Sequence, residues 1–201
     1  MLNRLGTHNA FLSVGDGSYL ELFAPDPDAT SPLRSLIGVD SVAPHLENKQ
    51  PRLTTYCCNA GNVGIDDLVS KLQEDKDFKQ YYPSSAESGS RKNDIDGTVI
   101  SWKVAVDKHD DVPYAELPMG GLVPFFIDWG DCATKRPGVT IAPTGCTLKK
   151  LTAYHPNPSK LQRVLENIGY DVDKVLTSIE EGPEPKLVLT LETPNGVIEL
   201  S

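Results

Sequence analysis

The sequence predicts an α+β fold in which strand, turn and helix units alternate with β-hairpins. Three observations carry this. Near the start, two runs rich in strand formers flank Gly15-Asp16-Gly17-Ser18, and Pro25 and Pro27 stop the second run, the pattern of a hairpin. An acid directly after large apolar residues then occurs three times, in Tyr19-Leu20-Glu21, Phe125-Phe126-Ile127-Asp128 and Val197-Ile198-Glu199, which a repeated unit explains. Finally, Ile65, Leu68, Val69 and Leu72, and again Leu161, Val164, Leu165 and Ile168, recur at the i, i+3, i+4, i+7 spacing of an amphipathic helix, each time after a strand-like run.

In the hairpin, a turn centred on Asp16-Gly17 pairs Gly15 with Ser18. An unbroken ladder then sets Val14 opposite Tyr19, Leu12 opposite Glu21, Ala10 opposite Phe23 and His8 opposite Pro25. Tyr19, Glu21 and Phe23 share one face, and Leu20 and Leu22 take the other. A carboxylate inside an apolar strand is costly if that side is buried, so the Glu21 side is either wet or a site.

Further along, residues 52–58 read as a strand by composition, and the first helix follows with Asp66 and Asp67 in its first turn, where negative charge suits the helix dipole. Residues 83–97 read as a surface loop. Between 99 and 106, Ile100, Trp102, Val104 and Val106 alternate with Ser101 and Lys103, a strand, and 122–129 form another. Residues 26–50 and 107–121 read as long connections, the first with at most one short helix at 33–37. Residues 147–154 predict a strand. Pro158 suits the first turn of the second helix and Gly169 its end. Residues 171–181 suggest a further short helix, and 187–191 and 197–200 a final hairpin about Asn195-Gly196, with Glu192 opposite Glu199.

The bulk properties narrow the class. A chain of 201 residues with 39% hydrophobic content can bury a real core. Its formal charge of −9, without a basic stripe, argues against nucleic acid or an anionic membrane as partner. No apolar run approaches the ~20 residues of a membrane span and the start lacks a signal-peptide core, so a cytoplasmic protein is expected. Cys57 and Cys58 point to opposite faces of their strand, and with no Cys-x-x-Cys pair the four cysteines read as structural thiols.

Thr7-His8-Asn9-Ala10, then Tyr19-Leu20-Glu21-Leu22-Phe23-Ala24-Pro25-Asp26-Pro27, then Pro124-Phe125-Phe126-Ile127-Asp128-Trp129 resemble, in order and spacing, the glyoxalase-like domain proteins of the vicinal oxygen chelate superfamily. The resemblance implies tandem βαβββ-type modules whose curled mixed sheets enclose a pocket, together one glyoxalase-like domain. On that frame 1–50 is a partial first module, 51–145 a second βαββ module and 146–201 a third. The first strand and helix of the first module have no counterpart before Thr7, which leaves a sheet edge open to a second copy and makes a homodimer an expectation.

The resemblance also implies the site. Glu21 matches the acid that in many members ligates a metal at the end of a module, and Asp128 is the matching acid of the second unit. Both are candidates as catalytic groups and as ligands of a divalent metal ion, expected to point into one cavity where they would repel or recruit a cation. His8, Tyr19, Phe23 and Phe126 are candidates to line the substrate pocket. His8 lies roughly 13 Å along the strand from Glu21, too far to share one ion. His45, His109 and His155 read as loop residues. The expected partner is a small organic molecule. The superfamily leaves three readings open: a metal-assisted lyase, isomerase or dioxygenase, a non-catalytic resistance-type binding protein, or a shortened subunit completed by dimerisation.

Overall fold

The computed structural model describes residues 7–25, 51–76, 79–92, 97–106, 117–140, 143–169 and 176–201. Strands β1 (Thr7–Gly15) and β2 (Ser18–Pro25) form the expected hairpin. Asp16 and Gly17 both take positive φ, at 50° and 73°, as a two-residue turn that follows strand twist requires. Strand β3 covers only Cys57–Asn59, and 51–56 run without regular structure, so the expected strand is shorter and shifted toward the helix.

Helix α1 (Ile65–Glu74) buries Ile65, Leu68, Val69 and Leu72, the stripe its spacing predicts. Strands β4 (Glu87–Lys92), β5 (Val99–Ala105) and β6 (Phe125–Asp128) follow. Strand β4 replaces the loop expected at 83–97. Its sequence, Glu-Ser-Gly-Ser-Arg-Lys, shows no apolar alternation because it is an edge strand whose residues stay largely exposed. A 3-10 segment, Gly130–Lys135, leads to the short helix α2 (Pro137–Thr140).

Strand β7 (Thr147–His155) then feeds α3 (Pro158–Ile168). Here the local chemistry is complete: the Asn157 side chain accepts the Lys160 N–H at 3.0 Å, Pro158 opens the first turn, and Gly169 ends the helix at φ 82°. Strands β8 (Ser178–Glu181), β9 (Lys186–Thr193) and β10 (Gly196–Leu200) close the chain. Strand β8 stands where a helix was expected. It pairs parallel to β7, and Ser178 and Glu180 bond to Thr152 and Lys150 at 3.1 and 3.3 Å, so pairing overrides local preference.

In the last hairpin the turn residues are Pro194 and Asn195 instead of Asn195 and Gly196. Thr193 pairs with Gly196, and its hydroxyl donates to the Gly196 carbonyl and accepts from Asn195 N–H. The expected Glu192–Glu199 opposition is therefore absent. Glu192 forms an ion pair with Lys149, and Glu199 lies opposite Thr190.

Three sheets result: β1-β2, β3-β6-β5-β4 and β10-β9-β7-β8, the parallel pairs being β3 with β6 and β7 with β8. Both four-stranded sheets follow a strand, helix, three-strand order along the chain, but their strand orders differ. One core joins them: α1, α3, Phe126, Leu122, Ala153 and Leu187 belong to a single buried cluster. The hairpin docks separately, with Val14 buried against Leu189 and Leu191 and Leu20 packed beside them. Its outer edge is partly covered by the same chain, because Ser13 N–H donates to the Pro143 carbonyl at 2.9 Å and the Ser13 hydroxyl to Gly138 at 3.2 Å. Among the described residues no helix is long and apolar enough to cross a membrane. The helix expected at 33–37, His45 and His109 lie outside the described residues.

Candidate functional site

The register of the hairpin decides what accompanies Glu21. Gly15 faces Ser18 as expected, but the ladder resumes at Ser13 opposite Tyr19, leaving Val14 as the extra residue of a bulge. Val14 is drawn into the apolar cluster with Leu189 and Leu191. The slip moves Phe11, not Leu12, opposite Glu21, and Asn9 opposite Phe23. One face of the hairpin thus holds Asn9, Phe11, Ser13, Tyr19, Glu21 and Phe23. Phe11 and Tyr19 meet edge to face at 5.4 Å, and the Asn9 amide donates to Glu21 Oε1 at 2.7 Å. His8 faces Ala24 and lies on the opposite side, so it does not share the Glu21 face as the unbulged ladder required.

The Glu21 face looks toward the second sheet. Crowding by protein atoms raises the Glu21 carboxyl above its ordinary range, opposed by the Asn9 hydrogen bond and by the charge of Arg91, although its side chain still meets solvent. Crowding by protein atoms, then the neighbouring Cys58 and the Glu21 charge push up the Cys57 thiol, although the residue itself is exposed. Cys57 alternates with Cys58, and Cys58 is in the core beside Phe126. Arg91 pairs with Ile100, on the side of β5 that also carries Trp102 and Val104. By register Cys57 and Arg91 both belong to the sheet face turned away from α1, on its opposite edge strands β3 and β4, and Glu21 interacts electrostatically with each. Tyr19 joins them, its phenol raised by burial first and by the Glu21 charge second.

Asp128 is on the other side. It pairs with Lys103, as Phe126 pairs with Ala105, and Ala105 and Phe126 are packed under α1. Phe126, expected in the substrate pocket, is fully buried at 0% exposure and belongs to the core cluster. The Asp128 carboxylate accepts the Gly130 N–H at 2.8 Å, and Lys103 turns to an ion pair with Asp66. Asp128 borders a cleft of about 460 Å³, also lined by Asp66, Asp67, Lys103, Trp102 and Trp129; Glu21 is not part of that lining. The two acids, expected in one cavity, do not line this cleft together. An acid after an apolar run has no fixed face, and side chains alternate at every step.

A divalent ion does not fit the Glu21 surroundings. Among the described residues no three His, Cys, Asp or Glu side chains gather as ligands, and Asn9 turns its donor amide to the carboxylate. His155 is spent locally, accepting the Asn157 N–H at Nδ1 at 2.9 Å. Asn9, Cys57 and Arg91 were not legible as site residues. The only available signal was Cys57, whose alternation with Cys58 leaves one of the two outside the core.

A model of the glyoxalase-like domain family matches residues 2–169, which span the first hairpin, helices α1, α2 and α3 and the cleft. The chain belongs to the glyoxalase-like domain family of the vicinal oxygen chelate superfamily. This glyoxalase-like domain is also similar to a hypothetical protein from Staphylococcus aureus known from a crystal structure, with a TM-score of 0.56 and 14% identity over 98% of this chain and 86% of that one. At that identity the likeness speaks for the fold alone. No curated protein matches the sequence.

Proposed function

We propose that this glyoxalase-like domain binds a small organic molecule at the face shared by Glu21, Tyr19, Cys57 and Arg91, and that Glu21 moves a proton of that molecule. The single observation behind this is a carboxyl raised by crowding, on a strand face with two packed aromatics and within the electrostatic reach of Arg91. Raising a carboxyl toward neutrality brings its proton affinity closer to working pH, where it can both take and return a proton. Arg91 supplies the complement: a guanidinium can hold an enolate or carboxylate oxygen of the ligand while Glu21 acts on a neighbouring C–H or O–H. Isomerisation or lyase chemistry next to a carbonyl is the reaction class that this pair supports without further groups.

A second reading, a binding protein without turnover, is favoured by the packed Phe11–Tyr19 pair, an aromatic surface that is all binding alone would need. Both are tested by screening small hydroxy-carbonyl and aromatic compounds for thermal stabilisation, then repeating hits with Glu21→Gln and Arg91→Ala. Retained binding with lost turnover in Glu21→Gln supports the enzyme. Binding without turnover in either protein supports the second reading. Hits that ignore both substitutions would move the site elsewhere. Metal content of untagged protein completes the test, since a stoichiometric ion at Glu21 would contradict the donor set described above.

A further inference from the structure

The geometry points to a second ligand site: the cleft beneath the start of α1 is built to take a small organic cation carrying a flat apolar body. Its volume of about 460 Å³ lies within the range of small-molecule sites. Both tryptophans of the chain line it, with ring centroids 5.5 Å apart and planes tilted by 54°. Trp129 is buried and Trp102 half-buried, so together they present a fixed aromatic wall. The Trp102 indole lies directly over Gly89, where a Cβ would fall 2.5 Å from the ring, so the wall is held from behind by backbone.

Charge selects the ligand. Asp66, Asp67, Asp128 and Asp131 line the cleft against a single cation, Lys103. Lys103 is committed to Asp66, and Asp128 is oriented by the Gly130 N–H. Among the described residues Asp67 and Asp131 enter no ion pair, so the cleft keeps unbalanced negative charge beside two indole faces. An aromatic wall attracts cations through its quadrupole, and surrounding carboxylates add to the attraction while repelling anions. Glu21 is not among the residues lining this cleft, so the site stands independently of the function proposed above.

Intrinsic fluorescence reads the cleft directly, because the only two tryptophans are in it. Titration with benzyltrimethylammonium should give a saturable change in emission, with neopentylbenzene, its uncharged counterpart, and benzoate giving none. The double substitution Asp128→Asn with Asp131→Asn should weaken the response about tenfold or more, equivalent to about 1.4 kcal/mol, with the far-UV circular dichroism unchanged. Glu21→Gln should leave it as in the wild type. Calorimetry with the same cation supplies a reading independent of ring environment. The proposal is overturned by equal binding of the uncharged compound, by an unaltered affinity in the double variant, by a saturable response to Mg²⁺ alone of similar strength, or by no heat and no emission change at millimolar cation.

Discussion

The Asn9 amide reaches Glu21 Oε1 at 2.7 Å across the hairpin, and it does so because the bulge at Val14 places both residues on one face. In the unbulged ladder, Asn9 and Glu21 would look to opposite sides. The hydrogen bond pulls the Glu21 pKa down against the larger effect of crowding. Asn9→Ala should therefore raise the Glu21 titration midpoint further, measured by carboxyl-carbon NMR. An unmoved midpoint would show that the bond does not persist in solution. The stability lost should be small, about 0.5 to 1 kcal/mol, because the bond is exposed.

Glu21 also predicts a pH dependence. Its folded pKa is raised from the ordinary 4.5, so the folded state holds the proton more tightly than the unfolded one. Its favourable contribution is full below 4.5 and is lost as pH rises through the folded value. The stability of wild type minus that of Glu21→Gln should accordingly fall as pH increases across that window and then level off. Urea midpoints at a series of pH values measure this. A difference that is flat, or that grows with pH, would contradict the raised value.

The shared core sets the third expectation. Leu165, at 2% exposure, and Phe126, at 0%, belong to the same buried cluster although they come from different halves of the chain. Leu165→Ala should cost about 2 to 5 kcal/mol and Phe126→Ala about 3 to 5 kcal/mol. Both should lower one common unfolding transition in calorimetry. Two separate transitions, only one of them moved by each substitution, would mean that the halves unfold independently.

Gly138 tests how the hairpin is held. A Cβ there would fall 2.5 Å from the Gly17 carbonyl oxygen and 2.8 Å from that of Ser18, both backbone atoms that cannot swing aside. The neighbouring Arg136 side chain donates to the same Gly17 carbonyl at 3.0 Å. Gly138→Ala should force the turn away from α2 and cost about 1 to 3 kcal/mol. Proteolysis of the folded protein should quicken between 7 and 25. Unchanged proteolysis and stability would show that the turn is not packed there.

Several elements were determined by sequence alone. Helix α3 is the fullest case: its apolar spacing, Pro158 and Gly169 all act within a few residues and each appears in the structure as its chemistry dictates, the structure adding the Asn157 cap. Helix α1 and the Asp16-Gly17 turn follow for the same reason. Only the tertiary structure decided the rest. Strands β4 and β8 exist through pairing with β5 and β7, and their own residues carry no strand period to reveal it. Which residues of β1 share the face of Glu21 depended on whether Val14 was pulled into a cluster with Leu189 and Leu191, some 175 residues away along the chain. One such long-range contact shifts a ladder by one residue and reverses every side chain before it. That is why Asn9 and Phe11, and not His8, accompany Glu21.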